Sequence, residues 1–263
     1  MSRNGKIVWG VSAALVVGAA VLVKLIFFPS IKAAYFATTT RAMQQVPEGL
    51  VYIQPTQFSN STRRGTFNLP IQRRGKTVWC MTGRNISFKE LIADAYGENQ
   101  ARVVLPWDAP KVNFDFLVSV SDQGRERLQA AVRKKLSYQA QREPRETDIL
   151  ALTVVNTSLP GLTPSGAGEK ENVNYRDGRL WFTHLQPAAM IGGLEQILKK
   201  PVVDKTEMTN FYNFSTVWNG QIERQLQNQT NAAAAVARIV GGWGLGLEPD
   251  TASIDVLVVK KVR

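Results

Sequence analysis

One cysteine and one histidine stand in 263 residues. A single Cys80 excludes an intrachain disulfide. Cys80 and His184 together fall short of the four ligands of a structural zinc site. Catalytic signatures are missing as well. His184 has no G-x-S-x-G elbow to serve, so it reads as a structural histidine beside a strand. Cys80, between Trp79 and Met81, reads as a buried apolar thiol. Asp204-Lys205-Thr206 reads as a turn held by its own Asp and Thr. The glycine-rich run 241–246 follows a helix, whereas a phosphate cradle follows a strand and opens a helix, so it reads as a helix end. These absences leave no catalytic residue, no cofactor and no metal to expect, and they favour a non-enzymatic protein.

Acids are also scarce: 21 Asp and Glu face 32 Lys and Arg, for a formal net charge of +11. The excess is uneven. Residues 1–32 carry four basic side chains and no acid, and residues 33–76 carry six against Glu48 alone. Lys32, Arg41, Arg63, Arg64, Arg73, Arg74 and Lys76 are therefore the candidate contacts for anionic lipid head groups or an acidic partner face. No nucleic-acid-binding motif accompanies them.

What the chain has in quantity is one apolar run, Ile7 to Phe28, broken only by Lys24. A helix rising ~1.5 Å per residue crosses a ~30 Å hydrocarbon core in about 20 residues, so the run predicts a transmembrane anchor. The residues after it offer poor signal-peptidase sites, which favours an uncleaved span. Arg3 and Lys6 ahead of it place the N-terminus in the cytoplasm by the positive-inside rule. The expected layout is a cytoplasmic tail at 1–6, the anchor at 7–28, a juxtamembrane linker at 29–48 and an extracytoplasmic domain at 49–263. That is a single-pass protein of a bacterial inner membrane with its main domain in the periplasm.

Within that domain the periodicity predicts α+β structure, mainly antiparallel sheet with covering helices. Ser87-x-x-Glu90 opens a helix that Gly97 closes. Residues 112–120 alternate as a strand, and Arg125 to Leu136 reads as an amphipathic helix. Residues 156–179 read as a long Gly/Pro/Asn-rich loop. The order of elements then repeats, with Glu143-Pro144 matched by Glu248-Pro249 and Asn113-Phe114 by Asn213-Phe214. The expectation is a two-repeat body, 77–155 and 180–262.

The string ISFKELIADAYG, the strand VNFDFLVSV, the run KKLSYQAQREPRETDILALTVV, then PVVDKTEMTNFYNF and LGLEPDTASIDVLVVKKV occur in this order. In this the chain resembles the "soil-associated protein" family of exported proteins abundant in Acidobacteria. Its most specific piece is Pro201 to Thr206, followed by Tyr212-Asn213-Phe214. That family usually has glycine after the Thr, and this chain has Glu207. The resemblance implies a fold and an exported location, and it supplies no reaction.

Two functions are expected from these residues. The first is a membrane-anchored, non-enzymatic accessory or scaffolding subunit that stabilises a larger membrane complex, of the photosynthetic or respiratory kind, on its periplasmic side. Its partners would be membrane lipid and other subunits, with neither nucleic acid nor metal. The alternative is a periplasmic enzyme or ligand-binding receptor with a cleft between the two repeats.

Overall fold

The computed structural model describes residues 35–120, 122–227 and 229–262. They divide into two compact units. The first holds residues 35–96, Trp107–Gln139 and the described end from Lys261; the second holds Gly97–Pro106 and Ala140–Lys260.

In the first unit, β1 (Val51–Pro55), β2 (Gly65–Arg73), β3 (Lys76–Ile86) and β5 (Phe114–Val118) form an antiparallel sheet in the order β1-β5-β3-β2. A short helix α1 (Thr40–Met43) precedes it, and α2 (Phe88–Tyr96) and α3 (Gly124–Leu136) belong to the same unit. The capping box read at Ser87 forms: the Ser87 N–H donates to Glu90 Oε2 at 2.7 Å, and the Glu90 N–H donates back to Ser87 Oγ at 3.2 Å. Leu91, Ile92 and Ala95 on α2, with Leu128 and Val132 on α3, are fully buried. Each pair follows the i, i+3/i+4 spacing of an apolar helix face.

The second unit contains two sheets. Strands β7 (Leu162–Pro164), β8 (Asn172–Arg176), β9 (Arg179–Leu185) and β11 (Tyr212–Val217) are antiparallel in the order β7-β11-β9-β8. The other sheet runs β10-β6-β12-β4. In it the short β4 (Val103–Val104) lies parallel to β12 (Leu245–Lys261), and the short β10 (Val202–Asp204) lies parallel to β6 (Tyr138–Val154). The helices are α4 (Pro187–Leu198), α5 (Gly220–Gln227) and α6 (Gln229–Gly241). A half-buried ion pair ties this unit together. Arg102 Nε meets Glu195 Oε1 at 2.8 Å, Glu195 Oε1 accepts the Val202 N–H at 2.9 Å, and Arg102 Nη2 donates to the Val202 carbonyl at 3.1 Å.

The two antiparallel sheets have the same strand order, element for element, and the match reaches ahead of residues 77 and 180 to include β1, β2, β7 and β8. It extends to turn chemistry. Arg73 pairs with Lys76 across Arg74-Gly75, and Arg176 pairs with Arg179 across Asp177-Gly178. All four turn residues have positive φ, between 50° and 76°, as a type I′ hairpin requires.

Several expectations are corrected. The loop at 156–179 carries β7 and β8; both are short, and the all-exposed NVNYR of β8 gives no burial alternation. The long β6 begins well ahead of Ile149, because its charged first half is surface-facing. Within the linker at 29–48, Phe36, Ala37, Met43 and Val46 are buried in the first unit's core with Cys80 and Leu117, so its described part, residues 35–48, belongs to the fold. The tail at 1–6 and the anchor at Ile7–Phe28 lie outside the described residues. Among the described residues no helix is long and apolar enough to cross a membrane. The turn at Asp204 forms as read: the Thr206 N–H and Oγ1 donate to Asp204 Oδ1 at 2.9 and 2.7 Å. Glu207, where the resembled family has glycine, sits at φ 58°, so the left-handed turn is kept and a side chain bears its strain.

Candidate functional site

The basic residues singled out from sequence do different things. Lys32 lies outside the described residues. Arg41 is exposed on α1, and Arg63 and Arg64 are exposed on the loop before β2, with Arg63 Nη1 donating to Thr38 Oγ1 at 3.4 Å. Arg74 and Lys76 stand exposed at the β2–β3 hairpin. Arg73 is structural: its side chain is 12% exposed, within 3.8 Å of Glu48. It donates to the Val46 carbonyl at 2.8 Å and the Ser119 carbonyl at 3.2 Å. Cys80 is free and buried, and burial pushes its thiol above the ordinary range, which suits an inert core group.

His184 occupies a more telling place. Each antiparallel sheet is interrupted by a bulge, at Gly83–Ile86 in the first unit and opposite Tyr212–Phe214 in the second. The bulged residues are Asn85, φ 51°, and His184, φ 54°. In the first unit the Asn85 N–H donates to Asp115 Oδ1 at 2.8 Å. Asp115 is fully buried and also accepts from Thr56 Oγ1 at 2.7 Å and the Gln57 N–H at 2.8 Å. In the second unit the His184 N–H donates to Asn213 Oδ1 at 2.8 Å. There the carboxylate comes instead from Glu169, which accepts from Asn213 Nδ2 at 2.8 Å and from Ser165 Oγ at 2.9 Å. Both donors hold its carboxyl below the usual range. His184 Nδ1 lies 2.9 Å from Ser165 Oγ, and its ring stacks on Phe211 at 4.1 Å. With the Ser165 proton directed at Glu169, Nδ1–H is the donor to Ser165. This polarity is the reverse of a serine nucleophile and its base, so the cluster clasps the loop after β7.

An apolar concave site lies elsewhere in the second unit. A hollow of about 290 Å³ is lined by residues of β9 and β11 and of all three helices, α4 to α6. Phe182, Leu185, Met190, Ile197, Ile239 and Trp243 are among its apolar wall residues, with Phe182 stacked on Phe214 at 4.7 Å. Helix α4 carries two exposed glycines. At Gly192 and Gly193 an added Cβ would meet nothing within 4 Å, and Gly193 lines the hollow. The volume sits at the lower end of the roughly 300–1,000 Å³ range of small-molecule pockets, and the wall is apolar as such pockets are. Nothing in the residue patterns pointed to it. Its usable signal is a glycine pair on a helix that otherwise carries Met190, Ile191, Leu194 and Ile197. Among the described residues no group of three or more His, Cys, Asp or Glu side chains is placed to hold a metal ion.

These features define a class: an α+β protein of two like-ordered sheets, one of which roofs an apolar hollow. A family model described as protein of unknown function (DUF3738) matches residues 89–262, and the chain belongs to that family. No curated protein and no solved structure matches it.

Proposed function

We propose that this chain is a membrane-anchored, non-enzymatic binding protein that holds an apolar small molecule in its second unit, on the periplasmic side. The apolar hollow under α4 carries this reading. The apolar run Ile7–Phe28 supports the anchor, and the resemblance to exported soil-associated proteins supports the compartment. The buried thiol and the reversed polarity of the Ser165–His184 pair support a role without catalysis. The test uses the full chain in nanodiscs and a neutral diazirine-bearing alkane. Photolabelling is expected at Met190 and Ile197 and is expected to disappear in Gly193→Leu, which fills the hollow. Unchanged labelling in that variant would sink the proposal.

A second reading, the scaffolding subunit, rests on the first unit's surface. Trp107 is 95% exposed and Trp79 is 62% exposed, and the same unit carries Arg74 and Lys76 at its hairpin. Large exposed aromatics with arginine are the residues that protein interfaces use most. Gentle detergent extraction is expected to retain partner subunits, and recovery of a lone monomer overturns this reading.

A further inference from the structure

Resting on the pocket reading, we infer that the occupant is a single-chain amphiphile with a carboxylate head, its chain in the apolar hollow and its head beside Arg179 and Arg238. A second hollow, of about 550 Å³, adjoins the first. Phe214, Thr216, Ile239 and Trp243 line both. The topology creates it. Strand β7 covers β11 only at Tyr212–Phe214, so the edge from Ser215 to Val217 is left without a strand partner on that side.

The two hollows differ in charge. Arg179 and Arg238 line the larger one, and among the described residues no Asp or Glu does. Arg179 is held in place, its Nη2 and Nε lying 2.9 and 3.3 Å from Ser215 Oγ. Its guanidinium lies 5.8 Å from the centre of the Trp181 ring, which also lines this hollow. A fixed guanidinium with a second arginine on the same wall suits a carboxylate, since charge-assisted hydrogen bonds from Arg are planar and directional. The apolar hollow has one acid in its lining, Glu171, just ahead of β8. In the sheet order β8 stands two strands from β11, so Glu171 repels a head group placed at the far end and favours a head lodged beside the two arginines. A volume of about 290 Å³ suits one chain better than the two of a diacyl phospholipid.

The test is photolabelling of the full chain in phosphatidylcholine nanodiscs with two diazirine probes of equal chain length, dodecanoate and dodecanol. The wild type is expected to label more strongly with the acid at Ile239 and Trp243. The double variant Arg179→Gln, Arg238→Gln is expected to lose about tenfold of the acid labelling and to keep the alcohol labelling. Retained alcohol labelling also reports that the variant is folded. Equal labelling by both probes, indifferent to the two arginines, overturns the carboxylate head and leaves the pocket standing. Labelling by neither probe overturns the pocket as well. Competition by a diacyl phosphatidic acid stronger than that by unlabelled dodecanoate overturns the single-chain choice.

Discussion

The two antiparallel sheets share one strand order, yet the core beside α2 is filled and the one beside α4 is partly open. Leu91, Ile92, Phe116, Leu128 and Val132 leave no exposed surface in the first unit. In the second, Phe182, Met190, Ile197 and Ile239 remain partly exposed around the hollow. One pair of positions explains much of this. Asp94 and Gly193 are each the seventh residue of their helix, α2 and α4. Asp94 reaches back to β2, where Thr66 Oγ1 donates to its carboxylate. Gly193 has no side chain to fill the equivalent space. A like exchange occurs in the sheet: Gly83 lies under Phe116, whose ring atom would be 2.3 Å from an added Cβ, while Phe182 stacks on Phe214 in the other unit. A frame can thus keep its topology while side-chain volume decides whether it is a core or a container.

The sharpest way to break the comparison is to empty both interiors. Leu128→Ala should cost about 2–5 kcal/mol, since a fully buried leucine leaves a cavity. Ile239→Ala, at a wall already open, should cost clearly less. Urea denaturation of the two variants measures both. Equal losses would mean that the second unit's interior is as tightly packed as the first.

Acid–base behaviour should differ next. Burial pushes the Asp94 carboxyl up to about 6 from 3.8, against the Thr66 hydrogen bond, which lowers it. A raised folded-state pKa contributes stability that is complete below the unfolded value and is lost as pH climbs through the folded one. The first unit should therefore weaken between about pH 4 and pH 6, by a few kcal/mol in all. Asp94→Asn should flatten that window. The shifted carboxyls of the second unit, Glu143, Glu169 and Asp250, are exposed and lowered by hydrogen bonds, and their contribution fades only as pH falls below the ordinary carboxylate range. Parallel pH profiles for wild type and Asp94→Asn, followed by thermal melts, would remove Asp94 as the source.

The bulges offer a smaller contrast. Asp115→Ala strands three part-buried donors, those of Thr56, Gln57 and Asn85, and should cost about 2–3 kcal/mol. Asn213→Ala frees Glu169 and His184 toward solvent and should cost about 1 kcal/mol or less. Chemical denaturation separates the two, and an inverted order would show that the His184 clasp supports more than its loop.

What could be read in the sequence was local. Ser87 and Glu90 announce their cap, Arg125–Leu136 shows its apolar face, and Asp204–Thr206 shows its turn, because each is decided by residues within one helical turn or hairpin. Strands β7 and β8 could not be read, since β7 is three residues long with one buried, and β8, an edge strand with no buried face, carries neither alternation nor apolar run. The hollow was hidden for a related reason. Repeats are detected by identical residues, at spacings that align Glu143 with Glu248 and Asn113 with Asn213. Asp94 and Gly193 differ, and what makes a pocket is the difference. The Ser165–His184–Glu169 cluster joins one strand residue to two from the loop after β7, and only the register brings them together.

The smallest effect tests the glycine itself. In the interior of a helix, glycine is about 0.5–1 kcal/mol worse than alanine because it surrenders more backbone freedom on folding. At Gly193 nothing opposes an added methyl, since the space is open and the residue is not in a left-handed conformation. Gly193→Ala should therefore stabilise the protein by about 0.5–1 kcal/mol and slightly reduce capture of an apolar probe. Gly83→Ala makes the matched control: there the new methyl meets the buried Phe116 ring and should destabilise by about 1–3 kcal/mol. Opposite signs at these two glycines, read as shifts in denaturation midpoint, would show that one is kept for packing and the other is kept for emptiness. A stabilising Gly193→Ala that leaves probe capture untouched would separate the glycine from the pocket.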